Sequence, residues 1–177
     1  MTLPDLQPTL NSPIVSVRPI QLEDWSGLFA VASDPLVWEQ HPATDRYQEK
    51  EFRKFFDDAL NCGSAFTFVD LNSGDLIGSS RYHGYNQSLN EIEIGWTFLG
   101  RNYWGGVHNR EVKKLMLTHA FKFVDTVLFW VGTQNTRSRK AVEKIGGIQR
   151  EGVYTRQHGK KEFPYVVYEL KKMEFTL

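Results

Sequence analysis

Hydrophobic and polar positions alternate with period two over "IVSVRPI" (residues 14–20), where Val15 and Val17 flank polar neighbours and Pro19 suits a strand edge. The pattern predicts a first strand. "EDWSGLFAVAS" then reads as a short helix and "DPLVWEQ" as a further helical turn opened by Pro35. Phe52, Phe55, Phe56, Ala59 and Leu60 recur at helical spacing, which predicts an amphipathic helix with an aromatic face. Asp45 and Gln48 look like its capping box, and Gly63 its stop. "SAFTFVDL", the turn residues "NSGD" and "LIGSSRYHGY" predict a hairpin, with "EIEIGWTFL" (91–99) as a third strand beside it.

A glycine-bearing stretch, "NYWGGVHNREVKK" (102–114), then opens a helix over Val112, Leu115, Met116, Ala120 and Phe123. "TVLFWVGTQ" is a continuous apolar run, as expected of a strand buried on both faces. "NTRSRKAVEKIGG" is a helix with Asn135 or Thr136 as cap and Gly146 as stop, and the tail is two strands around His158-Gly159. The order β-α-α-β-β-β-α-β-α-β-β predicts one α/β (α+β) domain over 14–177, with a mixed, mostly antiparallel sheet and helices on both faces. Strand 91–99, the following helix and strand 126–133 form a right-handed parallel crossover. Residues 1–13, with three prolines, read as a loose lead-in.

Composition narrows the chemistry by exclusion. Lys plus Arg (21) balance Asp plus Glu (21), so no global field points to nucleic acid or a membrane surface. One cysteine, Cys62, excludes an internal disulfide and any cysteine-rich zinc site; a reducing cytoplasm fits. Five histidines without paired ligand spacing argue against a metal. No apolar run reaches the roughly 18 residues of a membrane span, and the start lacks the plan of a signal peptide.

Where a strand enters a glycine-bearing loop and the loop enters a helix, the first backbone N–H groups lack intrahelical partners and the dipole is positive. Such a site suits an anion such as phosphate. Gly105 and Gly106 let a bulky pyrophosphate approach those amides. The stretch is neither a Walker loop, which needs G-x-x-x-x-G-K-[ST], nor a Rossmann fingerprint.

Taken together, "EIGWTFLGRNYWGGVHNREVKKLMLTHAF" and "TQNTRSRKAVEKIGGIQREGVYTR" resemble the GNAT superfamily of acyl-CoA-dependent N-acyltransferases, and within it the RimJ/RimL-type branch. The likeness runs from about residue 14 to about 170. Its most specific part is N-x-x-S-x-x-A-x-x-K-x-G, here Asn135, Ser138, Ala141, Lys144 and Gly146, followed by "EGVYTR". The loop matches the branch's YWGxGxNxE at Tyr103, Trp104, Gly105, Asn109 and Glu111, but Val107 stands where the second glycine belongs. Either the loop shifts by one position so that Gly106 serves, or coenzyme A binds more weakly.

The resemblance implies acetyl-CoA as co-substrate, no metal, and a sheet splayed between strand 91–99 and the strand after the helix. Pantetheine would pair with backbone at Trp96, Thr97, Phe98 and Leu99. Arg101, Trp104, Gly105, Gly106, Val107, His108 and Asn109 would cradle the pyrophosphate, with Asn135 and Lys140 reaching the pantetheine and the nucleotide end. The acceptor would be an amine, most often the N-terminal α-amine of a protein or peptide. A small-molecule amine is the alternative, and a non-catalytic acyl-CoA-binding module a further one. No nucleic acid or membrane partner is expected, and a homodimer is compatible.

Acetyl transfer needs a neutral amine, donors for the oxyanion and a proton for the leaving thiolate. Period two places Glu91, Glu93, Gly95 and Thr97 on one face of 91–99, opposite Ile92, Ile94, Trp96 and Phe98. Glu93, nearer the splay, is the expected base, with Glu91 in reserve, and the Phe98 N–H would polarise the carbonyl. Many relatives carry a Tyr where Val142 stands; Ser138, three residues after Asn135, takes the thiolate role in the RimL-like branch. Trp38, His41, His83, Tyr85 and Tyr154 are the residues expected to line an acceptor groove.

Overall fold

The computed structural model describes residues 4–158 and 161–175. Its strands are β1 (Leu10–Asn11), β2 (Val15–Pro19), β3 (Ala65–Asp70), β4 (Leu76–Asn86), β5 (Glu91–Leu99), β6 (Thr126–Gly132), β7 (Ile148–Gln149), β8 (Tyr154–His158) and β9 (Lys161–Lys171). Its α-helices are α1 (Trp25–Ala32), α2 (Pro35–Trp38), α3 (Glu49–Asn61), α4 (Val107–Ala120) and α5 (Thr136–Glu143). They form one mixed sheet in the order β1-β2-β3-β4-β5-β6-β9-β7, with β8 also on β9. β5 and β6 are parallel; every other described pairing is antiparallel.

The apolar periodicities account for the layers. Val112, Met116, Leu117 and Ala120 of α4 and Val142 of α5 pack one core with Phe66, Phe68, Ile92 and Ile94 from the sheet. Phe52, Phe55, Phe56 and Ala59 of α3 join Leu28 and Ala32 of α1 and Trp38 of α2 in a second core.

Several local expectations change. The lead-in is tied down: Leu10 pairs with Val17, and Gln7 Nε2 donates to the Ala65 carbonyl at 3.0 Å. α3 is capped at Gln48 with no side-chain bond, so Asp45 and Gln48 form no capping box and are joined only by the Gln48 N–H to the Asp45 carbonyl. A short strand, β7, precedes the last hairpin, and Gly159 of that hairpin's turn lies outside the described residues.

The largest departure is in β5. Ser79 pairs with Phe98 and Arg81 with Gly95, so Ser80 faces both Trp96 and Thr97 across a β-bulge. Trp96 takes φ +53°, a left-handed conformation that costs a bulky residue roughly 1–2 kcal/mol. The extra residue reverses the alternation. Ile92 and Ile94 face the α4 core, whereas Trp96 and Phe98, expected on the same face as them, face the α1–α3 core. β5 also leaves β6 there: their pairing covers Glu91–Thr126, Ile92–Val127 and Glu93–Leu128.

The closeness of β4 to the far side of the bulge is testable. A Cβ on Gly78 would lie 2.2 Å from the Phe98 carbonyl oxygen, a backbone atom in a paired strand. Gly78→Ala should therefore lower stability by roughly 1–3 kcal/mol or more, read from urea midpoints at unchanged m-value.

Candidate active site

Past Glu93 and Leu128 the two parallel strands diverge, and a cavity of about 700 Å³ occupies the gap. Ile94–Leu99 of β5 form one wall and Phe129–Gly132 of β6 another, with the start of α4 and the inner face of α5 closing one end. Trp38, His41, Pro42 and Tyr165 close the other.

One end of the cavity is built by the loop between β5 and α4. Gly105 holds φ +66°, and a Cβ there would meet nothing within 4 Å. Gly106 is the N-cap of α4, supplies no side-chain cap, and leaves the first helical amides to the cavity. Val107 is the first helical residue and half-exposed on the rim, with Gly106 before it as the N-cap. Trp104 fixes the loop by donating its indole N–H to the Leu99 carbonyl at 2.7 Å.

Trp96, Thr97, Phe98, Leu99, Trp104, Gly105, Gly106, Val107, Asn109, Asn135 and Lys140 all line this cavity. The side chains of Arg101 and His108 do not. Arg101 pairs with Asp34 at the surface. His108 turns its ring onto Tyr103, with centroids 4.9 Å apart, and its Nε2 stands 3.5 Å from Asp70 Oδ1. Sequence reasoning missed Arg110, Lys113, Arg137 and Lys144, which also line it. The signal was present: Arg137, Lys140 and Lys144 follow i, i+3, i+7 on α5. Burial pushes the Lys113 ammonium down to about 8. Arg137 lays its guanidinium 3.7 Å over the Trp104 ring, joining α5 to the loop.

Asn135 caps α5, its Oδ1 accepting the Ser138 N–H at 3.1 Å, and both residues line the cavity. Glu93 is placed differently from a solvated strand carboxylate. It is 5% exposed, outside the lining, and bound through both oxygens by Arg156 of β8 at 2.9 and 2.8 Å. Gly95 makes room for it, since a Cβ there would lie 2.7 Å from Glu93 Oε1. Arg156 in turn lies over the rings of Trp96 and Trp130 at 4.9 and 4.3 Å. Glu91 is bound to Arg150 at 3.0 Å.

Of the residues expected at the acceptor groove, Trp38 and His41 line the cavity. His83 is exposed beside Trp96, Tyr85 packs on Phe123 against the α4 core, and Tyr154 stacks behind Trp130; none of the three lines it. Tyr165, Trp130 and the cations behind them complete this end. Burial and the nearby Arg46 push His41 well below its ordinary range, and burial with Arg46 and Arg156 pushes His158 down to about 4.

The family model of the acetyltransferase (GNAT) domain matches residues 15–148. Among solved structures, a GCN5-related N-acetyltransferase from Brucella melitensis superposes with a TM-score of 0.82 at 19% identity, over 95% of this chain and 80% of its own. An acetyltransferase of the GNAT family from Bacillus anthracis gives 0.75 at 22%, over 94% and 99%. RimJ from Mycobacterium smegmatis, in complex with CoA-disulfide, gives 0.68 at 18%, over 98% and 91%. No curated protein matches the sequence. Among the described residues, no helix is long and apolar enough to cross a membrane.

The two depressed histidines predict an acid-sensitive fold. Each ring is neutral when folded and takes a proton more readily when unfolded, so the unfolded chain binds more protons below about pH 6.5. Their contribution is complete above that pH and is lost as pH falls toward 4. Urea midpoints should drop between pH 7 and pH 5, and His158→Gln should flatten the profile; an unchanged slope in that variant would place the effect elsewhere.

Proposed function

The chain belongs to the GNAT acetyltransferase family and is an acyltransferase, and from that premise we propose that it acetylates N-terminal α-amines of proteins or peptides as a member of the RimJ/RimL-type branch. One observation carries the acetyl-CoA half: unpaired amides at the start of α4, a ring of basic side chains and a splayed strand edge open into one cavity. The motif Asn135, Ser138, Ala141, Lys144, Gly146 supports the branch. A chain with a single cysteine needs no oxidising compartment, which suits the cytoplasm.

In this reading a polyanionic tail meets the amides of residues 107–109 with Arg110, Arg137, Lys140 and Lys144, and the acyl arm follows Trp96–Leu99 toward the aromatic end. Charge neutralisation and backbone donors bind; the strand edge orients. A neutral amine attacks the thioester carbonyl, the C–N bond forms, and the C–S bond breaks. The proton leaving the amine passes through water to Glu93, while Ser138 Oγ donates to the departing thiolate. The two bonds from Arg156 keep the Glu93 carboxylate fixed behind Gly95.

The reading is tested by incubating the protein with acetyl-CoA and a panel of peptides and small amines while following thiol release. Turnover with peptides above that with small amines supports the N-terminal acceptor, and the reverse order moves the acceptor to the small-molecule class. Thiol release that no amine accelerates would overturn acetyl transfer to nitrogen.

Glu93→Gln should slow turnover by ~10²-fold near neutrality, with the deficit shrinking as pH passes the pKa of the amine, because solvent then supplies the neutral nucleophile. Coenzyme A affinity should be unchanged, since the cofactor end uses other residues. Full activity at pH 7 would remove Glu93 from the proton path.

A further inference from the structure

Behind the aromatic wall of the acceptor end stand three guanidinium groups and one carboxylate. Arg156 is matched by Glu93. Arg46, in the turn between α2 and α3, and Arg81, on β4, are 9% and 7% exposed. Among the described residues neither has a carboxylate within 4 Å. Arg46 rests instead on the rings of Trp38 and Phe55, at 5.5 and 4.8 Å, and Arg81 on Phe55 and Trp96, at 5.2 and 4.9 Å. Aromatic faces offset part of the cost of burying a cation but accept none of its N–H groups; Arg81 also has the Phe55 carbonyl, 3.4 Å from its Nη2, and Arg46 faces His41 Nε2.

His41 brings a further donor to the same place. Its Nδ1 accepts the Ala43 N–H at 2.9 Å, so the single proton of the neutral ring sits on Nε2. That Nε2–H faces Nη1 of Arg46 at 3.4 Å. Two donors oppose each other there; His41 lines the cavity, and Arg46 stands behind it, outside the lining. An oxygen anion lodged there would accept from both. Polyphosphate has its own basic cradle at the opposite end, whereas a compact planar anion suits the guanidinium fork here.

We infer that the amine accepted by this site also carries a carboxylate, which His41 and Arg46 hold by hydrogen bonds while Arg81 and Arg156 add positive charge around it. The inference rests on the acetyltransfer reading for the word acceptor, and on the Arg46–His41 geometry alone for the anion. Two sources share the chemistry: a free α-amino acid, or a peptide with an acidic residue next to its N-terminus.

Two readouts separate the anion from the reaction. Tryptophan fluorescence, reported by Trp38 and Trp96, is titrated with propionate and with propionamide; propionate should saturate at about tenfold lower concentration or less, the worth of a charge-assisted bond. Thiol release from acetyl-CoA is then compared for L-alanine against L-alaninamide, and for amidated peptides with Glu or Gln in second place. One carboxylate-bearing member should exceed its neutral twin by about tenfold or more in kcat/KM, and which pair does so identifies the source. Arg46→Met should bring that ratio toward one and Arg46→Lys restore part of it, with thermal melts checking that each variant folds. If propionamide binds as well as propionate, or neutral twins match both carboxylates, the inference is overturned. Selective propionate binding without thiol release from any amine would overturn the transfer reading and leave the anion site standing.

Discussion

The separation of β5 from β6 is the constraint on which the site depends. Two parallel strands that stayed paired to their ends would fill the sheet and leave no cavity. Here pairing stops at Glu93–Leu128, and within three residues β5 carries a bulge with Trp96 held in the left-handed region. The bulge bends β5, turns Trp96 and Phe98 to the α1–α3 side and returns Leu99 to the α4 side. It thereby sets a tryptophan between the aromatic end and the strand edge. Backbone strain of this kind persists only where surrounding structure over-determines it. The ring of Trp96 is held by His83, Arg81 and Arg156, and the neighbouring Ser80 hydroxyl is bonded to the Gly95 carbonyl and the Thr97 hydroxyl.

The sequence was most informative where one periodicity covers one element. Strand 91–99 was read with its observed bounds, the aromatic stripe of 52–59 packs as predicted, and the loop-to-helix junction lines the cavity. Asn135 is a cap because its side chain can reach an amide three residues on, which is a local property. The bulge was illegible because alternation reports side-chain polarity, and Trp96 is apolar on either face. The Asp45–Gln48 pair has the spacing of a capping box but sits one turn before the helix begins.

What no local pattern could give is charge pairing across distance. Glu93 and Arg156 are 63 residues apart, and Glu91 meets Arg150 across 59. The β8–β9 hairpin delivers Arg156 against a strand three places away in chain order, so a carboxylate that looks solvated in sequence is buried and clamped. The same distance hides Arg46, which reads as an ordinary turn residue ahead of a helix.

These placements divide the cavity electrostatically. At the α4 end Arg110, Lys140 and Lys144 are exposed side chains above free amides, an arrangement that suits a mobile polyanion. At the aromatic end the cations are buried, immobilised on rings and, apart from Arg156, unmatched by carboxylates among the described residues. Burial pushes Arg46 down to about 10, yet at neutral pH it remains charged, as does Arg81. A fixed positive potential beside an amine nitrogen held there would favour its neutral form over its ammonium form. On the proposed reading, whatever part of that charge a bound carboxylate leaves unneutralised would lower the cost of deprotonating the amine and lighten the demand on Glu93 as its base.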